Sequence, residues 1–143
     1  MKPQLERIEN YPEVAAKLEQ HIRETEGQIQ RLEEILGSLA ESHSSIKDIA
    51  LSLTGAMAAM SHSMADDEIL KNSFANFAFE NFEIAAYKSL LTIAEQGRYG
   101  HATTPLQANL QEEQAMAAWL DENLANVTIK YLSLKEAGNG AKI

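Results

Sequence analysis

The chain contains no cysteine, which removes disulfides, thiol nucleophiles and cysteine-built zinc sites from consideration. Three prolines, seven glycines and 6% aromatic residues in 143 residues are too few breakers and rings for a turn-rich all-β fold, and they suit long helices. Basic residues are scarce as well: 12 Lys and Arg stand against 21 Asp and Glu, giving a formal net charge of −9 and a pI near 4.9. So acidic a surface repels phosphate backbones and anionic lipid, so neither nucleic acid nor membrane is an expected partner. No apolar run approaches the ~20 residues that span a bilayer. Met1-Lys2-Pro3-Gln4 opens no signal-peptide core, and a cytoplasmic location is the default expectation. What is present, 45% hydrophobic and 23% charged, is the composition of one globular domain over 1–143.

The helix punctuation is clear. Asn10-Tyr11-Pro12-Glu13 supplies a cap, a first-turn proline and an acid three residues past the cap. It opens a helix over about 12–40, interrupted only by Gly27 and Gly37. Ser45-Ile46-Lys47-Asp48 starts a shorter helix over about 46–64, with Ile49, Leu53, Met57, Met60 and Met64 along one side. Asp66, Asp67 and Glu68 place negative charge at the start of a third helix, over about 67–96, where the dipole favours it. Residues 98–103 read as a loop carrying Gly100 and His101, and Thr104-Pro105-Leu106-Gln107 as the capping box of a last helix over about 104–134. The tail from Ala137 to Gly140 is expected to fray. Residues 1–9 form a helical stub. Three long helices do not close a four-helix bundle, because each needs partners of similar length to cover its apolar face. Either another subunit fills the gap or a longer first helix lies upstream.

Certain acids sit where apolar residues belong. At about 100° per residue, the last helix carries a line of Leu106, Leu110, Ala117, Leu120, Leu124 and Val127, and the member missing between Leu110 and Ala117 is Glu113. Glu112 points toward the edge. On the third helix, Ile69, Phe77, Ile84, Leu91 and Ala94 share a face with Glu80 at its centre and Glu83 one turn on at its flank. Carboxylates at i and i+3 stand on one side of a helix and can share an ion. On the first long helix, His21 and Gln28 fall inside the arc of Leu18, Ile22, Ile29, Leu32, Ile35, Leu36 and Leu39, with Glu24 on its edge.

An unpartnered buried carboxylate costs several kcal/mol, and facing carboxylates repel. They escape by protonation, by pairing with buried bases or by binding cations. Arg31 is the one plausible interior base on these faces. A cation cluster answers the whole set at once. Oxygen donors suit iron or manganese better than zinc or copper, and carboxylates from facing bundle helices make the di-iron and di-manganese arrangement. The plainer alternative is that each Glu is an edge residue reaching solvent. It suits Glu24 taken alone, and Glu80, Glu83 and Glu113 together less well. Met57, Met60 and Met64 read as packing, and His43, His62 and His101 carry no assignment.

The stretches His21-Ile22-Arg23-Glu24-Thr25-Glu26-Gly27-Gln28, Phe79-Glu80-Asn81-Phe82-Glu83-Ile84-Ala85-Ala86-Tyr87 and Leu110-Gln111-Glu112-Glu113-Gln114, in this order and spacing, resemble the YciE/YciF family of bacterial ferritin-like proteins. The resemblance runs from about Glu19 to about Asn123. It implies a ferritin-like bundle with a crossover helix, often a homodimer, and a dinuclear iron or manganese centre with ligands at Glu24, Glu80, Glu83 and Glu113. His21 or Gln28 would be weaker ligands, and Tyr87 and Arg31 would support them from behind. It also implies an association with bacterial stress responses, with no firm reaction attached. There are three departures. The Glu-x-x-His pattern is absent, since Met116 follows Glu113 by three and Gly27 follows Glu24 by three; Arg23 stands where an acid is common; and relatives carry a full first helix with a further Glu, most of which this chain is expected to lack. Two functions follow as expectations: a metal protein engaged in redox chemistry with oxygen or peroxide or in iron handling, or a non-enzymatic helical scaffold with an incomplete site.

Overall fold

The computed structural model describes residues 1–38, 48, 49, 52 and 66–143. Among these the architecture is an all-α bundle of α1 (Lys2–Leu5), α2 (Pro12–Ser38), α3 (Glu68–Gln96) and α4 (Gly100–Glu136), with no strand. The helix expected over 46–64 lies outside the described residues, as do Leu39, His43 and His62, except that Asp48, Ile49 and Ser52 are helical. No helix among the described residues is long and apolar enough to cross a membrane. The bundle is built around α3 and α4, which pack along each other; α2 lies against α4, and the single turn of α1 lies against α2.

The reversal between α3 and α4 occupies only residues 97–99, which forces the two helices to be antiparallel neighbours. The Tyr99 N–H donates to Ala94 O at 2.8 Å and the Arg98 N–H to Glu95 O at 3.2 Å. This is the double cap in which one residue after the helix turns left-handed. Here that residue is Arg98, with φ 62°, rather than a glycine. Gly97 has a different reason to be glycine: a Cβ there would stand 2.2 Å from the Tyr99 ring, which folds back against the core.

The last helix starts earlier than the capping box predicts. α4 begins at Gly100, so the expected loop over 98–103 is mostly helix and Pro105 lies inside it. Proline removes one N–H from the ladder. Burial outweighs that loss, because Ala102 continues the line of Leu106 and Leu110 a turn upstream and is wholly enclosed by the core. The helix also runs on to Glu136. Gly138, at φ 71°, closes it with the same double cap, as the Asn139 N–H reaches Leu134 O at 2.9 Å. The tail beyond does not fray. The Asn10 side chain donates to Gly140 O at 2.6 Å, the Tyr11 hydroxyl to Ala141 O at 2.6 Å, and the Ile69 N–H to Lys142 O at 2.9 Å.

The core has two apolar halves. One gathers Leu32, Ile35, Leu90, Leu91, Ala94, Ala102 and Leu106 toward the α3–α4 turn, and the other gathers Tyr11, Val14, Leu18, Ile69, Met116, Leu120 and Val127 toward the opposite end. On every long helix a polar segment separates them: His21 to Gln28 on α2, Asn76 to Glu83 on α3, and Glu113 on α4.

A left-handed conformation costs an L-residue roughly 1–2 kcal/mol, which glycine avoids. Arg98→Gly is therefore expected to raise the melting temperature by a few degrees, and Gly97→Ala to lower it. Thermal melts followed by circular dichroism check both.

Candidate metal centre

The polar segments meet in one buried layer. α2 contributes His21, α3 contributes Glu80 and Glu83, and α4 contributes Glu113. Each offers one nitrogen or oxygen, and these atoms all lie within 4.8 Å of one another. His21 is 1% exposed, Glu80 0%, Glu83 4% and Glu113 0%. His21 Nε2 stands 3.3 Å from Glu80 Oε2 and 3.9 Å from Glu113 Oε2, while its Nδ1 faces Glu24 Oε2 at 3.4 Å. Glu24 keeps a quarter of its side chain exposed and accepts from Gln20 Nε2 at 2.7 Å. Among the candidates, His21 thus lies inside the cluster and Glu24 at its rim.

The hydrogen-bond account of this layer does not close. Both Glu80 oxygens, Glu113 Oε2 and His21 Nδ1 are buried with no hydrogen-bond partner among the described residues. Buried polar groups are ordinarily satisfied, so orphans concentrated among ligand-type atoms are the feature a cation would complete. Another buried acid shows what the fold does when it neutralises a carboxylate internally. Glu68, 1% exposed, accepts from Arg7 Nε at 2.8 Å and Arg7 Nη2 at 2.6 Å, and its other oxygen, though without a hydrogen bond among the described residues, is ion-paired with Lys142 Nζ at 3.6 Å. Arg31 plays no such part for the cluster, since its guanidinium is spent on Glu112 and Asn109 at the surface side. Three carboxyls with one imidazole, and no arginine or lysine in contact among the described residues, fit a hard or borderline cation with mixed oxygen and nitrogen ligands.

Electrostatics agree with the geometry. Burial raises the Glu80 carboxyl to about 7, opposed by hydrogen bonding with Glu113 and reinforced by the charge of Glu83. Burial raises Glu113 to about 8, helped by its hydrogen bond and repulsion with Glu80. Glu83 is pushed to about 9 by burial and by the charge of Glu113. The carboxyl–carboxyl hydrogen bonds behind these shifts form only when one partner carries a proton; with all three ionised, both Glu80 oxygens and Glu113 Oε2 have no partner among the described residues. Burial likewise holds the Tyr87 phenol well above its ordinary value.

Behind the cluster the support is polar. Gln28 Nε2 donates to Glu113 Oε1, and the Tyr87 hydroxyl donates to Gln28 Oε1 at 2.9 Å. Asn109 Nδ2 reaches the Tyr87 oxygen at 3.1 Å. Toward α1, Asn76 Nδ2 donates to Gln4 Oε1 at 3.0 Å. Reading acids alone passes over Asn109 and Asn76, yet each stands four residues before an in-line Glu, on the same helix face. That spacing is the signal that finds them.

An all-α bundle whose middle layer is a buried carboxylate–histidine cluster is a ferritin-like architecture. Residues 1–133 match the family described as a domain of unknown function (DUF892). Protein YciF of Escherichia coli (strain K12) is 32% identical over 129 residues, 85% of this chain and 72% of that protein. The chain belongs to the YciE/YciF family.

The raised carboxyls set the sign of a pH effect. Between about pH 4.5, where an ordinary Glu ionises, and about 9, the native state holds protons that the unfolded chain has released. Stability of metal-free protein is therefore present in full at the acid end of this window and falls as pH rises through it. Thermal melts of chelator-treated protein from pH 5 to 9 should show this decline, with a shallower slope in Glu83→Gln.

Proposed function

We propose that this chain is a ferritin-like metal protein that holds iron or manganese, as a dinuclear centre, in the layer formed by Glu80, Glu83, Glu113 and His21, with Glu24 closing the shell from the rim. The observation that carries this reading is the convergence of four buried ligand-type residues, with both Glu80 oxygens and Glu113 Oε2 lacking a hydrogen-bond partner among the described residues. Glu80 and Glu113, on facing helices and closed to solvent, would bridge or ligate. Glu83 and Glu24 would complete the coordination, and His21 supplies the nitrogen that the missing Glu-x-x-His pattern would otherwise provide. Bound there, such ions supply one-electron chemistry toward oxygen or peroxide, or hold iron in transit, and a role in bacterial stress is the physiological setting this supports. Leu18 and Met116 on one side and Tyr87 and Leu110 on the other bury the layer, which strengthens the charge interactions within it.

A homodimer forms part of the reading. Phe74 and Phe82, about half exposed on one side of α3, are the kind of apolar surface a second copy covers. Sedimentation of wild type and Phe74→Ser/Phe82→Ser tests it. The scaffold alternative has one physical argument in its favour: burial pushes Glu83 and Glu113 up to about 9 and 8, so the cluster can persist at neutral pH by holding protons instead of cations.

The two readings part on metal content and on linkage. Elemental analysis after anaerobic Fe(II) or Mn(II) loading should give close to two ions per chain, and Glu80→Ala with Glu113→Ala should abolish binding. Chelation should lower the melting temperature by several degrees, because a ligand at a hundred times its Kd adds about 2.7 kcal/mol to the folded state. Unchanged melting, together with no metal after loading, selects the scaffold.

A further inference from the structure

The hydrogen bonds behind Glu113 form one chain whose direction is dictated from the far end. Arginine has donors only. Arg31 Nε donates to Asn109 Oδ1, and Arg31 Nη2 to Glu112 Oε2. The Asn109 oxygen is thereby engaged, and its Nδ2 turns inward to the Tyr87 oxygen at 3.1 Å and the Gln28 backbone carbonyl at 3.4 Å. Having accepted there, the Tyr87 hydroxyl has one proton to give, and it goes to Gln28 Oε1 at 2.9 Å. The Gln28 oxygen is occupied in turn, so its Nε2 faces Glu113 Oε1. Reversing Asn109 would turn its Nδ2 onto the Arg31 donors and its Oδ1 onto the Gln28 carbonyl, and reversing Gln28 would leave the Tyr87 proton without an acceptor and set Oε1 against an ionised Glu113, so Arg31 favours this direction at each step. Asn109 is wholly buried and Gln28 is 2% exposed, so neither amide is open to bulk solvent.

This polarity has a consequence for the centre. Glu113 Oε1 is committed to an amide donor, and Oε2, the oxygen without a partner, faces His21 Nε2 across 3.9 Å. Gln28 turns its nitrogen, which cannot ligate, toward the cluster. We propose that Asn109, anchored by Arg31, is a positioning residue: acting through Tyr87 and Gln28, it makes Glu113 present Oε2 alone to a cation and keeps Gln28 a donor instead of a ligand. This rests on the reading of the cluster as a metal centre. Asn109 itself touches none of the four cluster side chains by hydrogen bond; its effect is carried by the orientation of two intervening groups.

Asn109→Asp is the informative change. It keeps the size and the Arg31 contact but replaces the inward amide donor with an acceptor. The Tyr87 proton is then drawn to the new carboxylate, and Gln28 is released to turn its oxygen toward the ions. Tyr87→Phe breaks the same chain one link further on and serves if Asn109→Asp does not fold. Two readouts are needed. In metal-free, isotope-labelled protein, the Gln28 side-chain amide protons of wild type should exchange slowly with solvent, and in either variant they should lose that protection. With Co(II) as the probe, affinity measured against a competing chelator should fall roughly tenfold to a hundredfold, as for other residues supporting metal ligands, and the visible spectrum should shift. The losses in Asn109→Asp and Tyr87→Phe should not add in the double variant, since both act through one path.

The proposal is overturned if Gln28 protection is lost while Co(II) affinity and spectrum stay as in wild type, or if the two single losses add fully. If wild type binds no Co(II) while Gln28 remains protected, the metal reading itself fails and takes the positioning role with it. If wild type binds Co(II) and Gln28 is unprotected, the metal reading stands and the directed chain is refuted.

Discussion

Three carboxyl groups packed into one buried layer between α2, α3 and α4 are the constraint around which the rest of this bundle is arranged. Their desolvation and mutual repulsion oppose folding, and an apolar interior of equal volume would oppose it less. The fold concentrates this cost in one place. Apolar clusters close the layer above and below, so the helices are held by ordinary packing at both ends while the middle is held by charge and hydrogen bonds. Glu68 makes the contrast plain. Equally buried, it receives a two-pronged arginine and a lysine, so this sequence is able to neutralise an interior acid with bases and does so where an ion pair suffices.

Helix register follows from the same layer. Glu80 and Glu113 meet because the link at 97–99 is short and doubly capped, leaving α3 and α4 no freedom to slide. α2 joins them chiefly through side chains, His21 toward Glu80 and Gln28 toward Tyr87. Sliding α2 by a turn would bring Leu18 or Leu32 against the carboxyls and His21 into an apolar half. The polar layer is therefore a specificity device as well as a cost, in the sense that buried polar groups can select one arrangement among several apolar ones.

Much of this is legible in residue spacing. Glu113 interrupts an otherwise continuous apolar line, and Glu80 sits at the centre of a face whose neighbours are Phe and Ile; periodicity alone marks both. What spacing conveys poorly is rank among candidates. His21 and Glu24 are three residues apart on one helix, and a rotation of a few tens of degrees decides which is enclosed. Contact with α3 and α4 places His21 inside and Glu24 at the rim. Local turn chemistry at 104–107 misplaces the start of α4, because a proline-led cap is weaker than the burial of Ala102. Arg7 and Glu68 are 61 residues apart, beyond any local pattern, and their pairing is visible only once the chain is folded.

The environment of the layer is unequal on its two sides, and this bears on how it could respond to a ligand. On the Asn109 side each hydrogen bond is directed, buried and anchored to a guanidinium, so Glu113 is held in one orientation. On the α1 side, Glu24 is partly exposed, His21 Nδ1 has no hydrogen-bond partner among the described residues, and His21 and Glu83 border a cavity of about 290 Å³ lined also by Gln4, Ile22, Ile29 and Phe79. Side chains rearrange where they are least constrained. Adjustment to an arriving ion would fall on His21, Glu24, Glu80 and Glu83, with Glu113 as the held side chain. A layer built this way combines a held side at Glu113 with a freer side toward α1, and the difference comes from which polar atoms the surrounding helices satisfy and which they leave unpaired.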